Sequence, residues 1–329
     1  MKKSTIAILG AGSWGTAVAI HLANTGKHVM LWGHHSNQID NMIKTRQNKK
    51  YLPDVMFPPT LEPSVDLSLC LKQAAQVIIA VPSHAFPSLL PQLNRPLNGI
   101  AWLTKGIAPD THRLLSQLVA EQWGDSFPIA VISGPSFARE VAKNLPTALV
   151  IAGNNSDYLQ SCHAMIHHSN IRAYLSDDFI GVQLCGAVKN VLAIACGVSD
   201  GLNYGANAKA ALITRGLAEM VRLGVSLGAR PETFLGLSGV GDLVLTCTDD
   251  QSRNRRFGLQ LGQGIAIPLA EKNVAQVVEG RYNAAQICAL ATKNKVEMPI
   301  CQEVHALLQG KVTPNQAVVN LMQRPPREE

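Results

Sequence analysis

The sequence predicts an α/β protein in which a doubly wound parallel sheet precedes an all-helical C-terminal domain. Three observations support this. Short apolar runs alternate with helical segments in the first half, a glycine-rich turn follows the first run, and long amphipathic segments replace the strand-like runs after about residue 175. A chain of 329 residues also exceeds what one hydrophobic core usually serves. We therefore expect two domains, residues 1–178 and 179–329.

The glycine-rich turn GAGSWG occupies residues 10–15, directly after the apolar run 5–9 and at the start of a helical stretch. Gly10 permits a tight turn, Gly12 lets a pyrophosphate approach the backbone, and Gly15 lets the helix pack closely on the strand. The free N–H groups at the helix start would face the anion. Taken alone, a GxGxxG pattern can be just a glycine-rich turn of an α/β protein. Its position between the first predicted strand and the first predicted helix, however, predicts a Rossmann-type dinucleotide site.

Further short apolar runs predict the remaining strands of the sheet: 29–32, 77–81, 100–103, 129–132 and 148–152. In such sheets ligands gather beyond the carboxyl ends of the strands. The loops 82–84, 104–106 and 133–136 follow three of these runs. Each could be merely a turn, but their shared edge makes them a candidate site.

The C-terminal half is expected to be helical, with amphipathic segments at 181–200, 207–228, 280–293, 299–308 and 314–323. Local signals support these helices. Pro231 and Pro314 suit first-turn positions, Thr313 is a plausible N-cap, and Gly228 and Gly310 suit C-terminal stops.

Cysteine usage and hydropathy indicate the compartment. Seven cysteines without a CxxC pair favour a reducing environment over a disulfide framework or a zinc site, so we expect no metal. The N-terminus imitates a signal peptide, but glycines break its apolar run at once. No uncharged apolar stretch approaches the ~18 residues of a membrane span. We expect a cytoplasmic protein without such a span.

The formal net charge of +6 and the pI near 9.0 suggest anionic partners: nucleotides, phosphorylated metabolites or nucleic acid. The densest basic cluster is the short stretch RNRR at 253–256, and long basic tails are absent. We therefore expect a small phosphate-bearing substrate and no nucleic-acid partner.

Lys189 is the first candidate for chemistry in the helical half. No carboxylate lies three or four residues away, so a same-helix ion pair is not available. Spacing alone favours a lysine whose stem covers apolar surface. Alternatively, a partly buried lysine with a lowered pKa can act as a general base.

A second candidate is the stretch from Gly239 to Arg253, which we expect to be short and irregular. It contains the carboxylate of Asp242, the hydroxyl of Thr246 and the guanidinium of Arg253. Arginine clamps phosphate through its planar fork of donors, and Asp242 could bond a hydroxyl or hold an ammonium. The alternative is a solvated turn with surface arginines.

A resemblance to a known family spans the chain from the first strand to about residue 285. The sequence resembles the bacterial-type NAD(P)-dependent glycerol-3-phosphate dehydrogenases through GAGSWGTAVA, YLPD, VPSHAF, TKGI, SGPSFAREVAKNLPTA, GAVKNVLAIACGVSDGL, GVGDLVLTC, SRNRRFG and VVEGRYNA. The resemblance implies a Rossmann domain with a helical domain, NADP or NAD as cofactor, and reversible conversion of dihydroxyacetone phosphate to sn-glycerol 3-phosphate for glycerophospholipid synthesis. It also suggests a homodimer.

Position by position, the resemblance implies that Lys189 is the proton acceptor and that Lys105 touches both cofactor and substrate. The other implied substrate contacts are Gly134, Ser136, Asp242, Ser252, Arg253 and Asn254, with Thr246 a weaker candidate. The implied cofactor contacts, besides Gly10, Gly12 and Gly15, are Ser13, Trp14, His34, Tyr51, Ala138, Arg253, Val277 and Glu279.

The chain departs from common family forms at Asp54, where YLPG is usual, and at His34, where an arginine is frequent. The second strand also lacks the acidic residue that would bond a ribose 2′-hydroxyl and repel a 2′-phosphate, so we expect NADPH to be accepted. His34 and Arg253 are candidates for the 2′-phosphate, and Glu279 for the ribose.

In the implied reaction, protonated Lys189 would stabilise and protonate the ketone oxygen as hydride arrives, and neutral Lys189 would accept the hydroxyl proton in reverse. Lys105 would help to lower the pKa of Lys189, whereas a close Asp242 would oppose this. Three other classes share part of the pattern. β-Hydroxyacid or sugar-acid dehydrogenases also combine a Rossmann domain with a catalytic lysine, but the SRNRR and SGPSFA stretches disfavour them. A non-enzymatic dinucleotide sensor would need GxGxxG but not Lys189, and a nucleic-acid-binding regulator would use the basic surplus.

Overall fold

A computed structural model describes residues 5–109, 111–168 and 170–325. Two compact units make up the chain. The first comprises the described residues up to Thr104 together with Leu115–Phe179, and the second comprises Lys105–Leu114 and the residues from Ile180 onward. The segment Lys105–Leu114 therefore belongs with the helical unit although it lies between two stretches of the first unit in the sequence.

The first unit contains an eight-stranded sheet with the order β10-β9-β8-β7-β6-β1-β2-β5 and a separate hairpin of β3 and β4. Its strands are β1 Thr5–Leu9, β2 His28–Trp32, β3 Gln47–Asn48, β4 Leu52–Met56, β5 Leu61–Ser64, β6 Ala74–Ile79, β7 Ile100–Trp102, β8 Ile129–Ser133, β9 Thr147–Gly153 and β10 Ile171–Ser176. Its helices are α1 Ser13–Asn24, α2 Ser36–Thr45, α3 Leu67–Gln73, α4 Phe86–Leu89, α5 Leu115–Trp123, α6 Ala138–Ala142 and α7 Ser156–Ile166.

The predicted doubly wound α/β sheet is confirmed, with one correction to its direction. All strand pairs of the large sheet are parallel except β8 and β9, which run antiparallel. The connection from β8 to β9 contains only the short helix α6, so it cannot make the long crossover that a parallel pair requires. The loops after β6, β7 and β8 still share one edge.

Close packing explains two glycines of the GxGxxG turn. Gly10 has a φ of +135°, and a Cβ there would lie 2.6 Å from the carbonyl carbon of Ala80. A Cβ on Gly15 would lie 2.1 Å from the Gly10 oxygen. The turn can therefore pass between β1 and α1 only with glycine at both positions.

The second unit is helical, as expected. Its helices are α8 Phe179–Gly201, α9 Gly205–Ser226, α10 Pro231–Phe234, α11 Asp242–Thr248, α12 Arg253–Gly262, α13 Ile267–Val274, α14 Glu279–Lys293, α15 Pro299–Leu308 and α16 Pro314–Met322. Thr313 caps α16 by accepting the N–H of Gln316, and Gly228 and Gly310 have positive φ beyond the ends of α9 and α15.

The stretch from Gly239 to Arg253 was wrongly predicted to be irregular. A π-helical turn at Leu237–Gly241 leads directly into α11, and α12 begins at Arg253. Gly239 interrupts the π-turn with a non-helical ψ of −105°, and a Cβ there would meet the Phe234 oxygen at 2.0 Å, so the position requires glycine. The glycines that suggested a loop instead allow the chain to pack tightly before α11.

Helix α8 is the central element of the second unit, and its apolar side chains form the middle of that unit's core. Among the described residues it is the one helix long and apolar enough to cross a membrane. However, 83% of its most apolar 18-residue window is buried inside the protein, as in a core helix. Helix α8 is therefore explained by packing within the unit.

Candidate active site

Lys189 lies in the middle of α8 and is 6% exposed. Its ammonium donates to Oδ1 of Asp242 at 2.5 Å and to Oγ1 of Thr246 at 3.0 Å. Asp242 and Thr246 are one turn apart on α11, which places their oxygens on the same side of that helix. The interpretation of Lys189 as a surface lysine covering apolar groups is therefore wrong for this fold.

Lys105 completes the cluster from the segment that follows β7. Its ammonium donates to Oδ2 of Asp242 at 2.7 Å, so one carboxylate binds two ammonium groups through separate oxygens. Helix α14 holds this segment: Asn283, which is fully buried, accepts from the Ile107 N–H and donates to the Lys105 carbonyl. A basic side chain 137 residues before Asp242 is thereby fixed beside it.

Burial dominates the protonation behaviour of Lys189. It lowers the pKa of Lys189 from the usual 10.5 to about 7, an effect that Asp242 opposes and Lys105 reinforces. For Asp242, burial alone would raise the pKa, but Lys105 and Lys189 outweigh burial and hold it below the usual range. The carboxylate therefore stays ionised, while Lys189 can gain or lose a proton near neutral pH.

A buried amide relay connects α8 to the starts of α12 and α14. The side chain of Asn254 donates to Oδ1 of Asn190 at 2.9 Å and accepts the N–H of Gly280 at 2.9 Å. Asn190 also donates to the carbonyl of Gly186 one turn earlier. In the sequence, each of these three residues directly follows a charged one: Lys189 precedes Asn190, Arg253 precedes Asn254, and Glu279 precedes Gly280. The hydrogen bonds of the relay therefore fix the three charged residues relative to each other.

Ser252, Arg253 and Asn254 stand at the beginning of α12. Ser252 is the N-cap, and its hydroxyl accepts the N–H of Arg255 at 3.2 Å. Arg255 is itself held by Asp200 at 2.5 Å and by Asp250. Arg253 is only half-buried, unlike Ser252 and Asn254, so a guanidinium is presented on a well-anchored helix start.

In the first unit the predicted cofactor residues lie around the glycine turn and the following elements. Gly12 is the N-cap of α1, and a Cβ there would meet no protein atom within 4 Å. The neighbouring Trp14 has a buried Nε1 without a hydrogen-bond partner among the described residues. Space at Gly12 and the N–H groups of a 12-residue helix fit a dinucleotide pyrophosphate.

An open cavity of about 370 Å³ lies where β2 leads into α2. It is lined by His34, His35, Ser36, Asn37, Gln38 and Lys50, none of which is acidic. The ring centroids of His34 and His35 are 3.8 Å apart. Desolvation and, as a smaller cause, the charge of His35 lower the pKa of His34. Lys50 lies over the ring of Tyr51, at 5.1 Å from its centroid. This cavity suits a polar or anionic group.

The remaining predicted residues divide between the two units. Gly134 has a φ of +131° and accepts from the Ser136 hydroxyl at 3.0 Å in the loop after β8, and Ala138 begins α6, which packs on α1. Val277 and Glu279 precede and begin α14 in the second unit. The sequence did not identify Asn283, Gln38 or Asn48 as site residues, because long-range hydrogen bonds define their parts.

A Rossmann-type unit with an open glycine turn, together with a helical unit containing a buried lysine–carboxylate pair, defines a nicotinamide-dependent dehydrogenase. Comparison with known proteins narrows this class. Residues 5–159 match the N-terminal part, and residues 178–319 the C-terminal part, of the NAD-dependent glycerol-3-phosphate dehydrogenase family. The chain belongs to this family.

Comparisons with individual relatives support this family membership. The chain is 65% identical over 329 residues, all of both proteins, to a glycerol-3-phosphate dehydrogenase [NAD(P)+] of Legionella pneumophila. The crystal structure of glycerol-3-phosphate dehydrogenase from Coxiella burnetii is 49% identical with a TM-score of 0.95, covering 98% of this chain and all of that one. The yeast enzyme is 24% identical with a TM-score of 0.81, covers 98% of this chain and all of that one, and supports the fold alone.

Proposed function

We propose that this protein transfers hydride reversibly between NAD(P)H and dihydroxyacetone phosphate, giving sn-glycerol 3-phosphate, with Lys189 as the proton donor and acceptor. The observation that carries the assignment is the buried Lys189 ammonium held 2.5 Å from Asp242. Relatives named glycerol-3-phosphate dehydrogenase [NAD(P)+] support the substrate and the cofactor.

Lys189 has one position left for a reacting oxygen. Its nitrogen is bonded to its own Cε and directs one N–H to Asp242 and one to Thr246. The Thr246 hydroxyl hydrogen is directed to the Asp242 carbonyl at 2.6 Å, so its oxygen can only accept from the lysine. The fourth position carries the third hydrogen of the ammonium or the lone pair of the amine.

That fourth position determines the proton chemistry. When bound, the nicotinamide supplies or accepts the hydride. Protonated Lys189 donates its third hydrogen to the ketone oxygen as that oxygen gains negative charge, and neutral Lys189 accepts the hydroxyl proton in the reverse direction. Lys105 stabilises the developing negative charge and, through Asp242, stays next to the reacting group.

The substrate phosphate is assigned to Arg253, with Ser252 and Asn254. Gly134 and Ser136 are assigned to substrate contact, as the resemblance implies. Arginine matches phosphate oxygens through paired donors, and the anchoring of α12 by Arg255 and Asp200 preorganises that group. The cofactor is assigned to the glycine turn, Ser13, Trp14, His34, Tyr51, Lys105, Ala138, Arg253, Val277 and Glu279.

Compartment, pathway and assembly complete the proposal. We place the protein in the cytoplasm, where its seven free cysteines suit a reducing environment. A role in glycerophospholipid synthesis follows from the product, and a homodimer from the family resemblance. Sedimentation of the purified protein measures the oligomeric state directly.

The turnover test follows loss of reduced nicotinamide absorbance after dihydroxyacetone phosphate is added. We expect Lys189→Met to lower kcat by about 100-fold or more while NADPH affinity changes little. Lys293→Met, the same substitution at an exposed position of α14, is the matched control and should keep full activity. A folded Lys189→Met protein with undiminished kcat would disprove the assignment.

Cofactor choice is tested in the same assay by comparing kcat/KM for NADPH and NADH. The non-acidic cavity beside His34 and Lys50 supports acceptance of the 2′-phosphate. A preference for NADH of more than about tenfold, or ~1.4 kcal/mol, would contradict this part of the proposal.

A further inference from the structure

The carbonyl oxygen of Ala11, inside the glycine turn, is held by two side-chain amides. Gln38 Nε2 donates to it at 2.9 Å and Asn48 Nδ2 donates at 3.1 Å. Gln38 belongs to α2 and Asn48 to the hairpin strand β3. One backbone oxygen is thus the meeting point of three separate segments of the first unit.

Asn48 is the more constrained of the two amides, since it is fully buried. Its Nδ2 also donates to Oγ1 of the buried Thr16 at 2.8 Å, which accounts for both amide hydrogens. The Ala11 carbonyl fixes the orientation of this amide, because the reversed amide would place two acceptor oxygens against each other. The backbone oxygen of Asn48 accepts the N–H of Tyr51 at 3.1 Å.

The two amides fix the Ala11–Gly12 peptide plane. In a trans peptide the C=O and the following N–H point in opposite directions. Holding the Ala11 oxygen against Gln38 and Asn48 therefore makes the Gly12 N–H point away from these two amides, in the opposite direction within the same plane. A glycine turn is otherwise free to rotate such a peptide, since glycine permits many backbone conformations.

We propose that Asn48 and Gln38 are positioning residues for dinucleotide binding. They hold the Gly12 N–H in its binding orientation and keep three cofactor segments in register: the glycine turn, the His34 region that leads into α2, and the hairpin turn that carries Tyr51. This inference rests on the proposed NAD(P)H-dependent function. Asn48 does not touch the cofactor in this proposal, whereas Gln38 also lines the cavity beside His34. Both act on the glycine turn through the Ala11 oxygen.

The test is direct titration of NADPH and of NADH by fluorescence, without substrate. We expect Asn48→Ala to weaken both by about tenfold and equally, since the glycine turn serves the part common to both cofactors. The kcat at saturating NADPH and the KM for dihydroxyacetone phosphate should change less than about twofold. Hydrogen exchange of the amides at 10–16, measured without cofactor, should become faster.

Asn154→Ala is the matched control. Asn154 donates to the carbonyls of Asp125 and Phe127 and accepts the N–H of Ile129, at the amino end of β8 and so at the opposite edge of the sheet. A general loss of stability would weaken NADPH binding in both variants alike. Equal weakening in Asn154→Ala and Asn48→Ala would overturn the proposal.

Gln38→Ala is the second variant, because Gln38 is only half-buried and its loss removes one donor of the two. We expect about threefold weaker binding of both cofactors, and unchanged affinity would overturn the proposal even if Asn48→Ala failed to fold. Unmodified protein that binds neither NADPH nor NADH would instead refute the proposed function. The two failures are therefore distinguishable.

Discussion

Lys189 obtains its acid–base behaviour from burial within a charged cluster. An isolated buried ammonium would lose its proton, whereas one paired only with a carboxylate would keep it through neutral pH. Here Asp242 stabilises the ammonium and Lys105 opposes it, while burial remains the largest effect and brings the pKa to about 7. The second lysine therefore limits how strongly Asp242 can hold the proton on Lys189.

The pH dependence of kcat/KM should reverse with the direction of reaction. Reduction of dihydroxyacetone phosphate needs protonated Lys189, so its kcat/KM should fall as pH rises through about 7, the pKa of the free protein. Oxidation of sn-glycerol 3-phosphate needs the neutral amine and should lose activity as pH falls through the same value. Profiles in both directions between pH 5.5 and 9 measure this. If kcat/KM changed with pH in the same sense for reduction and for oxidation, the role of Lys189 would be contradicted.

Arg253 should discriminate between substrates with and without phosphate. We expect Arg253→Ala to raise KM for dihydroxyacetone phosphate strongly, at a cost of about 2 to 4 kcal/mol, while the poor substrate dihydroxyacetone is much less affected. Arg253→Lys should recover only part of the loss, because a point charge cannot reproduce the guanidinium fork. Equal damage with both substrates would mean that Arg253 supports the cofactor or the fold instead.

At the scale of elements, the close approach of α8 and α12 organises the second unit. A Cβ on Gly258 would lie 2.1 Å from the Ile194 oxygen, and one on Gly197 would lie 2.1 Å from the Arg255 oxygen. Backbone therefore packs against backbone between these helices. This proximity lets the Asn190 and Asn254 side chains bond directly, so it couples the lysine helix to the arginine helix.

Gly258→Ala should separate α8 from α12 and affect both stability and turnover. We expect a loss of about 2 kcal/mol of unfolding free energy from overpacking and a clear fall in kcat/KM as the Asn190–Asn254 hydrogen bond lengthens. Urea unfolding and steady-state kinetics measure the two effects. Gly236→Ala is the control, because its nearest contact would be an ordinary 3.4 Å. Equal effects of both variants would show that the helix contact is not the cause.

Elements with strong local signals could be predicted from the sequence, and those that depend on distant contacts could not. The apolar runs identified β1, β2 and β6 to β9, but β5 contains Pro63 and Glu62, and the edge strand β10 has an exposed tyrosine, so neither looks like a buried strand. The candidate site likewise depends on contacts between residues that are distant in the sequence. Lys189 and Asp242 were selected by residue type and resemblance, but only the fold joins them across 53 residues.

At the scale of the whole molecule, each compact unit has its own hydrophobic core. The spectroscopic reporters are unevenly distributed between the units. All four tryptophans, Trp14, Trp32, Trp102 and Trp123, belong to the first unit. The second unit contains the long helices α8 and α9 and dominates the helical circular dichroism. Fluorescence and circular dichroism therefore report largely on different parts of the chain.

NADPH should stabilise the tryptophan-reported transition more than the helical one. At about 100 times its Kd, a ligand that binds only the folded state adds about 2.7 kcal/mol, which for a unit of this size raises the midpoint by roughly 5–10 °C. Gly12→Ala is the control, since its methyl group meets no protein atom but occupies the space assigned to the pyrophosphate. We expect it to keep the unliganded midpoint and to lose the shift. A full shift in Gly12→Ala would place the dinucleotide elsewhere, and equal shifts by both probes would show that the two units unfold as one.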